Sequence, residues 1–228
     1  AALDQFRLAL PLGSVPPPAE LQTMLDASLS MTSGDGSKEQ RARELSILLL
    51  KLSEKAGLRG RVVALRGSER NRVFELADVN RLPQVPFDGI HAMNDSWQNE
   101  FSDTPASTWR VVISDFLWPG NPRPLLETAA RGVSKSWFVQ LLDEWELHPS
   151  PAGASSLVDI ETEQSVELIL DEPAISGYIA RLESLSGSMA DACRSVGASW
   201  VSASAATELS EFCREHLVRA GLLEEVPV

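Results

Sequence analysis

The sequence predicts an α/β fold: a mostly parallel sheet with helices on both faces, plus an inserted β-hairpin. Three observations predict it. The stretches 21–27, 61–67, 108–117, 136–143 and 199–204 are near-continuous in apolar residues, as strands covered on both faces are. Segments of helical period alternate with them. One later segment, 155–171, instead alternates apolar and polar residues around the polar turn Glu161 to Gln164, which is hairpin patterning.

Taken in order, the first strand is placed at Leu21 to Ala27, because the prolines at 16–18 cannot join a ladder. The turn cluster TSGDGS follows and ends at Ser37, a candidate helix cap. From Lys38 to Ala56, apolar residues recur at Ala42, Leu45, Leu49, Leu52 and Ala56, one face of a helix. Ile47, Leu48 and Leu50 widen that stripe, and Gly57 and Gly60 end it. RVVALRG (61–67) and RVFELA (72–77) read as two strands joined by a polar turn at 68–71. The region 78–107 is less regular, with a helix expected around His91 to Glu100. TWRVVISDFL (108–117) is a strand carrying an aspartate near its end. PRPLLETAARGV (122–133) is a helix and SWFVQLLD (136–143) another buried strand. After the hairpin come a helix at 173–196, a strand at 199–204 and a helix at 207–220.

The chain has 228 residues, 43% of them hydrophobic, enough for one domain spanning 1–228 with a substantial core. Its formal net charge of −12 disfavours a phosphate backbone as partner, so nucleic acid is not expected. Cys193 and Cys213 have no CxxC neighbour and read as small buried hydrophobes in a reducing compartment. No run of about 18 apolar residues exists, so no membrane span is expected in this chain. Asp4 and Arg7 interrupt the opening apolar stretch, which therefore does not read as a signal peptide. The opening AALDQFRLALPLG enters mid-structure, and the natural protein is expected to extend upstream.

In open α/β sheets the crevice lies at the carboxyl ends of the strands. Asp26 and Asp115 both fall at such ends. In MLDASLSM, alternate residues of an extended chain point the same way, so Asp26, Ser28 and Ser30 can aim three oxygens at one point. Carboxylate and hydroxyl oxygens are hard ligands, suited to Mg2+ or Mn2+ rather than zinc. The competing reading is a turn in which the same groups satisfy backbone N–H. His91, His148 and His216 have no partner at ligand spacing, and neither a nucleophile elbow nor a phosphate-cradling glycine loop is present. Trp109, Trp137 and Trp200 start strands and read as core. Trp118, in the loop after Asp115, is a candidate partner contact.

MLDASLSM resembles the D-x-S-x-S metal-ion-dependent adhesion site of von Willebrand factor A domains. The ordered set of landmarks is similar to the bacterial DUF58 group of A-like domains. Those landmarks are the helix at 38–56, VISDF (112–116), LLDEWEL (141–147), LVDIETEQ (157–164) and the late helix with its tyrosine, ISGYIARLESLSGSMADACRSVG. ALDQFRL resembles the tail of a segment that follows a G-D-x-x-R-x-I-D-W motif, absent here. The resemblance implies an A-like fold with Asp26, Ser28, Ser30 and Asp115 as metal ligands. The middle ligand, ordinarily a threonine in a Gly-Gly-Thr loop, falls in PFDGIHAM, where Asp88, Gly89 or Ile90 stands. Asp88 is the candidate substitute, and Thr104 is nearby in sequence only. The resemblance further implies a protein-interaction module, not an enzyme, working with a MoxR-type AAA+ ATPase. Membrane helices upstream in relatives would anchor the natural protein, with this domain in the cytoplasm. A metal-free scaffold of the same fold is the alternative. A metal-dependent hydrolase using Asp26 or Ser28 stands third, because neither a histidine nor a lysine adjoins either motif.

Overall fold

The structure, a computed structural model, describes residues 2–11, 17–66, 71–89, 105–117, 121, 123–158 and 164–227. Six strands form the central sheet: β2 (Glu20–Asp26), β3 (Arg59–Leu65), β4 (Arg72–Phe74), β5 (Thr108–Ser114), β6 (Lys135–Leu142) and β9 (Ser199–Ser204). Their spatial order is β4-β3-β2-β5-β6-β9. All neighbours run parallel except β4, which pairs antiparallel with β3 at one edge. Numbered within this sheet, the order is 3-2-1-4-5-6, the doubly wound arrangement. The α/β expectation, a mostly parallel sheet with helices on both faces, therefore holds.

The pleat explains why the strands read as continuous apolar runs. Alternate residues of each strand go to opposite faces, and both faces are covered. Leu21, Leu25, Val111, Ile113, Val139 and Leu141 join one core with α2 (Ser37–Lys55), whose Ala42, Leu45, Leu49 and Leu52 supply the matching stripe. Met24, Val63, Val112 and Phe138 join the other core. There they meet α3 (Arg123–Ala130) through Leu125, Leu126 and Ala129, and α5 (Glu172–Ser195) through Met189, Ala192 and Cys193. Cys193 and Cys213 are free, buried and divided between the two cores, and burial pushes each thiol up to about 12.

Several boundaries differ from expectation for local reasons. Gly36, in left-handed conformation at φ 81°, holds the cap position of α2. Ser37, the expected cap, is the first helical residue, and the Asp35 carboxylate accepts its N–H. β5 ends at Ser114, leaving Asp115 just beyond the strand. The segment 76–84 is 3-10 helical, and a four-residue helix α4 (Glu144–Leu147) follows β6. The last helix, α6, begins at Leu209–Phe212 and continues as a π-helical turn over Cys213–Val218. The hairpin forms as expected from β7 (Gly153–Val158) and β8 (Ser165–Leu170), and its turn at 161–163 lies outside the described residues. The helix expected at 91–100 lies outside them as well. A ribbon not expected at all joins β1 (Phe6–Leu8), preceded by α1 (Ala2–Gln5), to β10 (Leu223–Glu225). Among the described residues, no helix is long and apolar enough to cross a membrane.

Candidate functional site

The sheet order reverses between β2 and β5, and the crevice of a doubly wound sheet opens at the carboxyl ends of those two strands. Asp26 is the last residue of β2, and Asp115 follows the last residue of β5. Register brings them together: Leu25 pairs with Ile113, which sets Asp26 beside Ser114. The Ser114 hydroxyl donates to Asp26 Oδ2 at 2.6 Å, and the Ser28 N–H donates to Asp26 Oδ1 at 3.0 Å. Ser28 and Ser30 place their hydroxyl oxygens 2.9 Å apart. Asp26 and Asp115 are each only 2% exposed.

Two backbone features hold the crevice in shape. Phe116, directly after Asp115, has φ 54°, an uncommon conformation for a non-glycine residue. Its ring is fully buried, tilted against Trp200 at 5.2 Å, and that packing holds the turn in place. On the other side, Gly89 N–H donates to Ala27 O and Leu29 N–H to Gly89 O, both at 3.0 Å, so the 85–89 loop lies against the serine loop. A Cβ at Gly89 would sit 2.9 Å from the Arg66 carbonyl carbon and 3.1 Å from Ala27 O, so no larger side chain is accommodated there.

Asp88 is set apart from the other candidates. Arg66 donates to both of its carboxylate oxygens, at 2.8 and 2.7 Å, in a bidentate pair. The expected substitute ligand is thus engaged by a guanidinium, and the loop brings no threonine up to the serines. Ile90, His91, Thr104 and Trp118 lie outside the described residues. His148 is exposed, and His216 stacks on Phe212 at 5.1 Å, away from the crevice.

Sequence reasoning missed two residues of the site. Lys38, in the first turn of α2, has no exposed side-chain surface, and its Nζ lies 3.2 Å from Asp115 Oδ2 and 2.6 Å from Glu146 Oε1. Glu146 belongs to a capping box: Asp143 accepts the Glu146 N–H, and Glu146 Oε2 accepts the Asp143 N–H at 2.8 Å. The D-x-x-E spacing of 143–146 was the available signal for that box. Gly34 is needed beside it, since a Cβ there would meet Asp143 Oδ2 at 2.0 Å.

The electrostatics follow from burial. Burial, and then the neighbouring Asp115 charge, push the Asp26 carboxyl up from 3.8 to about 7, against the hydrogen bonds from Ser114 and Ser28. Burial by itself would lower the Lys38 pKa, but Asp115 and Glu146 outweigh it and carry it above the ordinary lysine value. Glu146 is also raised, because burial outweighs Lys38 there. The 2.6 Å contact is that of an ion pair, so the ammonium is charged. Asp26, Asp115 and Glu146 carry three negative charges when all are ionised, against the single positive charge of Lys38, an excess of two.

The donor set suits a hard divalent cation in kind. Two buried carboxylates and two hydroxyls 2.9 Å apart lie at the carboxyl ends of β2 and β5. Among the described residues, no group of three or more His, Cys, Asp or Glu side chains has a metal-holding arrangement, so any cation here depends on the serine hydroxyls.

Neither a protein-family model nor a curated protein matches the chain. Among solved structures it is similar to the conserved hypothetical protein BatB from Bacteroides thetaiotaomicron, with TM-score 0.49 and 13% identity over 89% of this chain and 98% of that one. It is similar to an aerotolerance-related membrane protein from Bacteroides fragilis, with TM-score 0.47 and 12% identity over 88% and 99%. A third is the SpRpn10 VWA domain, with TM-score 0.44 and 13% identity over 87% and 95%. The fold assignment stands on this chain's own strand order and register.

Proposed function

We propose that this chain is a von Willebrand factor A-like module of DUF58 type that binds another protein at the carboxyl ends of β2 and β5, without turnover. Asp26, Ser28, Ser30 and Asp115 would hold a magnesium or manganese ion, and an acidic side chain of the partner would complete its coordination. The observation that carries this reading is the buried charge excess. Asp26 and Asp115 are neighbours at the switch point, with the Ser28 and Ser30 hydroxyls 2.9 Å from each other in the loop after Asp26 and no ion pair to Asp26 among the described residues. A bound divalent cation supplies the missing positive charge and a binding position for a carboxylate. The partner implied by the sequence resemblance is a MoxR-type AAA+ ATPase, in the cytoplasm.

A metal-free scaffold is the second reading, favoured by Lys38 on Asp115 and Arg66 on Asp88. Gel filtration with the MoxR-type ATPase of the same organism separates the two. In magnesium, wild type should co-elute with the ATPase and Asp26→Ala should lose at least tenfold in affinity. The variant is the control because the ATPase itself needs magnesium. Equal binding by Asp26→Ala would remove the cation from the docking reaction and favour the scaffold.

A further inference from the structure

Lys38 is an unusual lysine. In the first turn of a helix a lysine is ordinarily solvated, and full burial is rare unless the charge is paired. Here the side chain is 0% exposed and its ammonium meets two carboxylates. The other oxygen of each carboxylate is also taken: Leu117 N–H donates to Asp115 Oδ1 at 3.1 Å and Asp143 N–H to Glu146 Oε2 at 2.8 Å. The ammonium therefore completes Asp115 and Glu146, while Asp26 keeps only hydrogen bonds from Ser28 and Ser114. The neighbours that fix it are themselves fixed, since Glu146 is locked in its capping box and the Gln140 amide donates to the Asp115 carbonyl at 2.8 Å.

We propose that Lys38 sets the strength of cation binding at this site, as a permanent internal ammonium that competes for Asp115 and opposes any divalent ion held by Asp26, Ser28, Ser30 and Asp115. The inference rests on the cation reading of the site. Like charges sharing a low-dielectric crevice repel far more than in water, and a lysine packed on all sides cannot swing away to relieve the repulsion. The chain alone then binds a divalent ion weakly. A partner carboxylate adds an anionic ligand to the ion, so docking and cation binding reinforce one another, and the isolated module stays largely uncommitted.

The test is magnesium titration by calorimetry, with thermal unfolding alongside, on wild type, Lys38→Met and Lys38→Arg. Lys38→Met should be less stable than wild type in chelator, because it strands two buried carboxylates, and should bind magnesium at least tenfold more tightly. Lys38→Arg, which keeps the charge, should stay within about threefold of wild type. The sign is diagnostic, since structural damage loosens binding and loss of repulsion tightens it. If Lys38→Met does not fold, Lys38→Gln removes the charge while its amide still donates to one carboxylate, and it should show the same tightening. Binding by wild type that neither neutral variant improves would overturn the role of Lys38 and leave the cation site standing. No binding by wild type or by either neutral variant would overturn both.

Discussion

Replacing Asp26 with asparagine is expected to stabilise the protein in chelator at pH 7.5 by about 1–3 kcal/mol, and in the same step to abolish stabilisation by magnesium. The asparagine keeps one local hydrogen bond and reverses the other: its amide oxygen accepts the Ser28 N–H as Asp26 Oδ1 does, while its NH2 donates to the Ser114 hydroxyl that in wild type donates to Asp26 Oδ2. What it removes is a charge that burial and Asp115 both oppose. The sign follows from the two ends of the titration. The unfolded carboxyl ionises near 3.8 and the folded one at about 7, so the contribution of the protonated group is whole below about pH 4 and is lost as the pH rises to 7. Wild type in chelator should therefore weaken across that window more steeply than Asp26→Asn, in which the Glu146 carboxyl alone remains raised. Magnesium should restore the wild type above pH 7 and leave the variant unchanged. Chemical denaturation at pH 4.5, 6 and 7.5, with and without magnesium, measures all of this. A variant less stable than wild type at every pH, with the same slope between pH 4.5 and 7.5, would contradict the assignment of a strained charge to Asp26.

The largest loss of stability is expected from Trp137→Ala, about 3–5 kcal/mol. Trp137 sits on β6, the strand next to the β9 edge, paired with Val111 of β5 and Ser199 of β9. It is 2% exposed, packs edge-on to Trp109 at 5.1 Å, and donates its indole N–H to Ala220 O at 2.9 Å. Truncation opens a cavity between the sheet and the C-terminal segment and leaves that carbonyl with only the Ser199 hydroxyl, at 3.4 Å. Because Trp137 lies near the amino end of β6, away from the crevice, the gain from magnesium should survive in the fraction that folds. Urea denaturation gives the size of the effect, and a cost below about 1 kcal/mol would show that the core is not divided as described.

The parts of the fold that local chemistry dictates were legible. The stripe of α2 follows from period, and β2, β5 and β6 follow from apolar runs that only a sheet covered on both faces explains. The placement of Asp26 and Asp115 at neighbouring strand ends was legible too, because strand ends in such a sheet fall at one edge. Long-range pairing was not. β1 and β10 are three residues each and meet across almost the whole chain, with no periodicity to announce them. The Arg66–Asp88 pair joins a strand end to a loop 22 residues later. Lys38 looked like an ordinary charged residue at a helix start. Only the placement of that first turn over Asp115 and Glu146 makes it internal.

Magnesium titration by calorimetry on wild type and Asp26→Ala decides whether the Asp26 loop is a working cation site. Saturable binding of one magnesium per chain is expected in the wild type and none in Asp26→Ala. Binding of equal strength in both proteins, or no magnesium response in the wild type by calorimetry and by thermal unfolding alike, would contradict it.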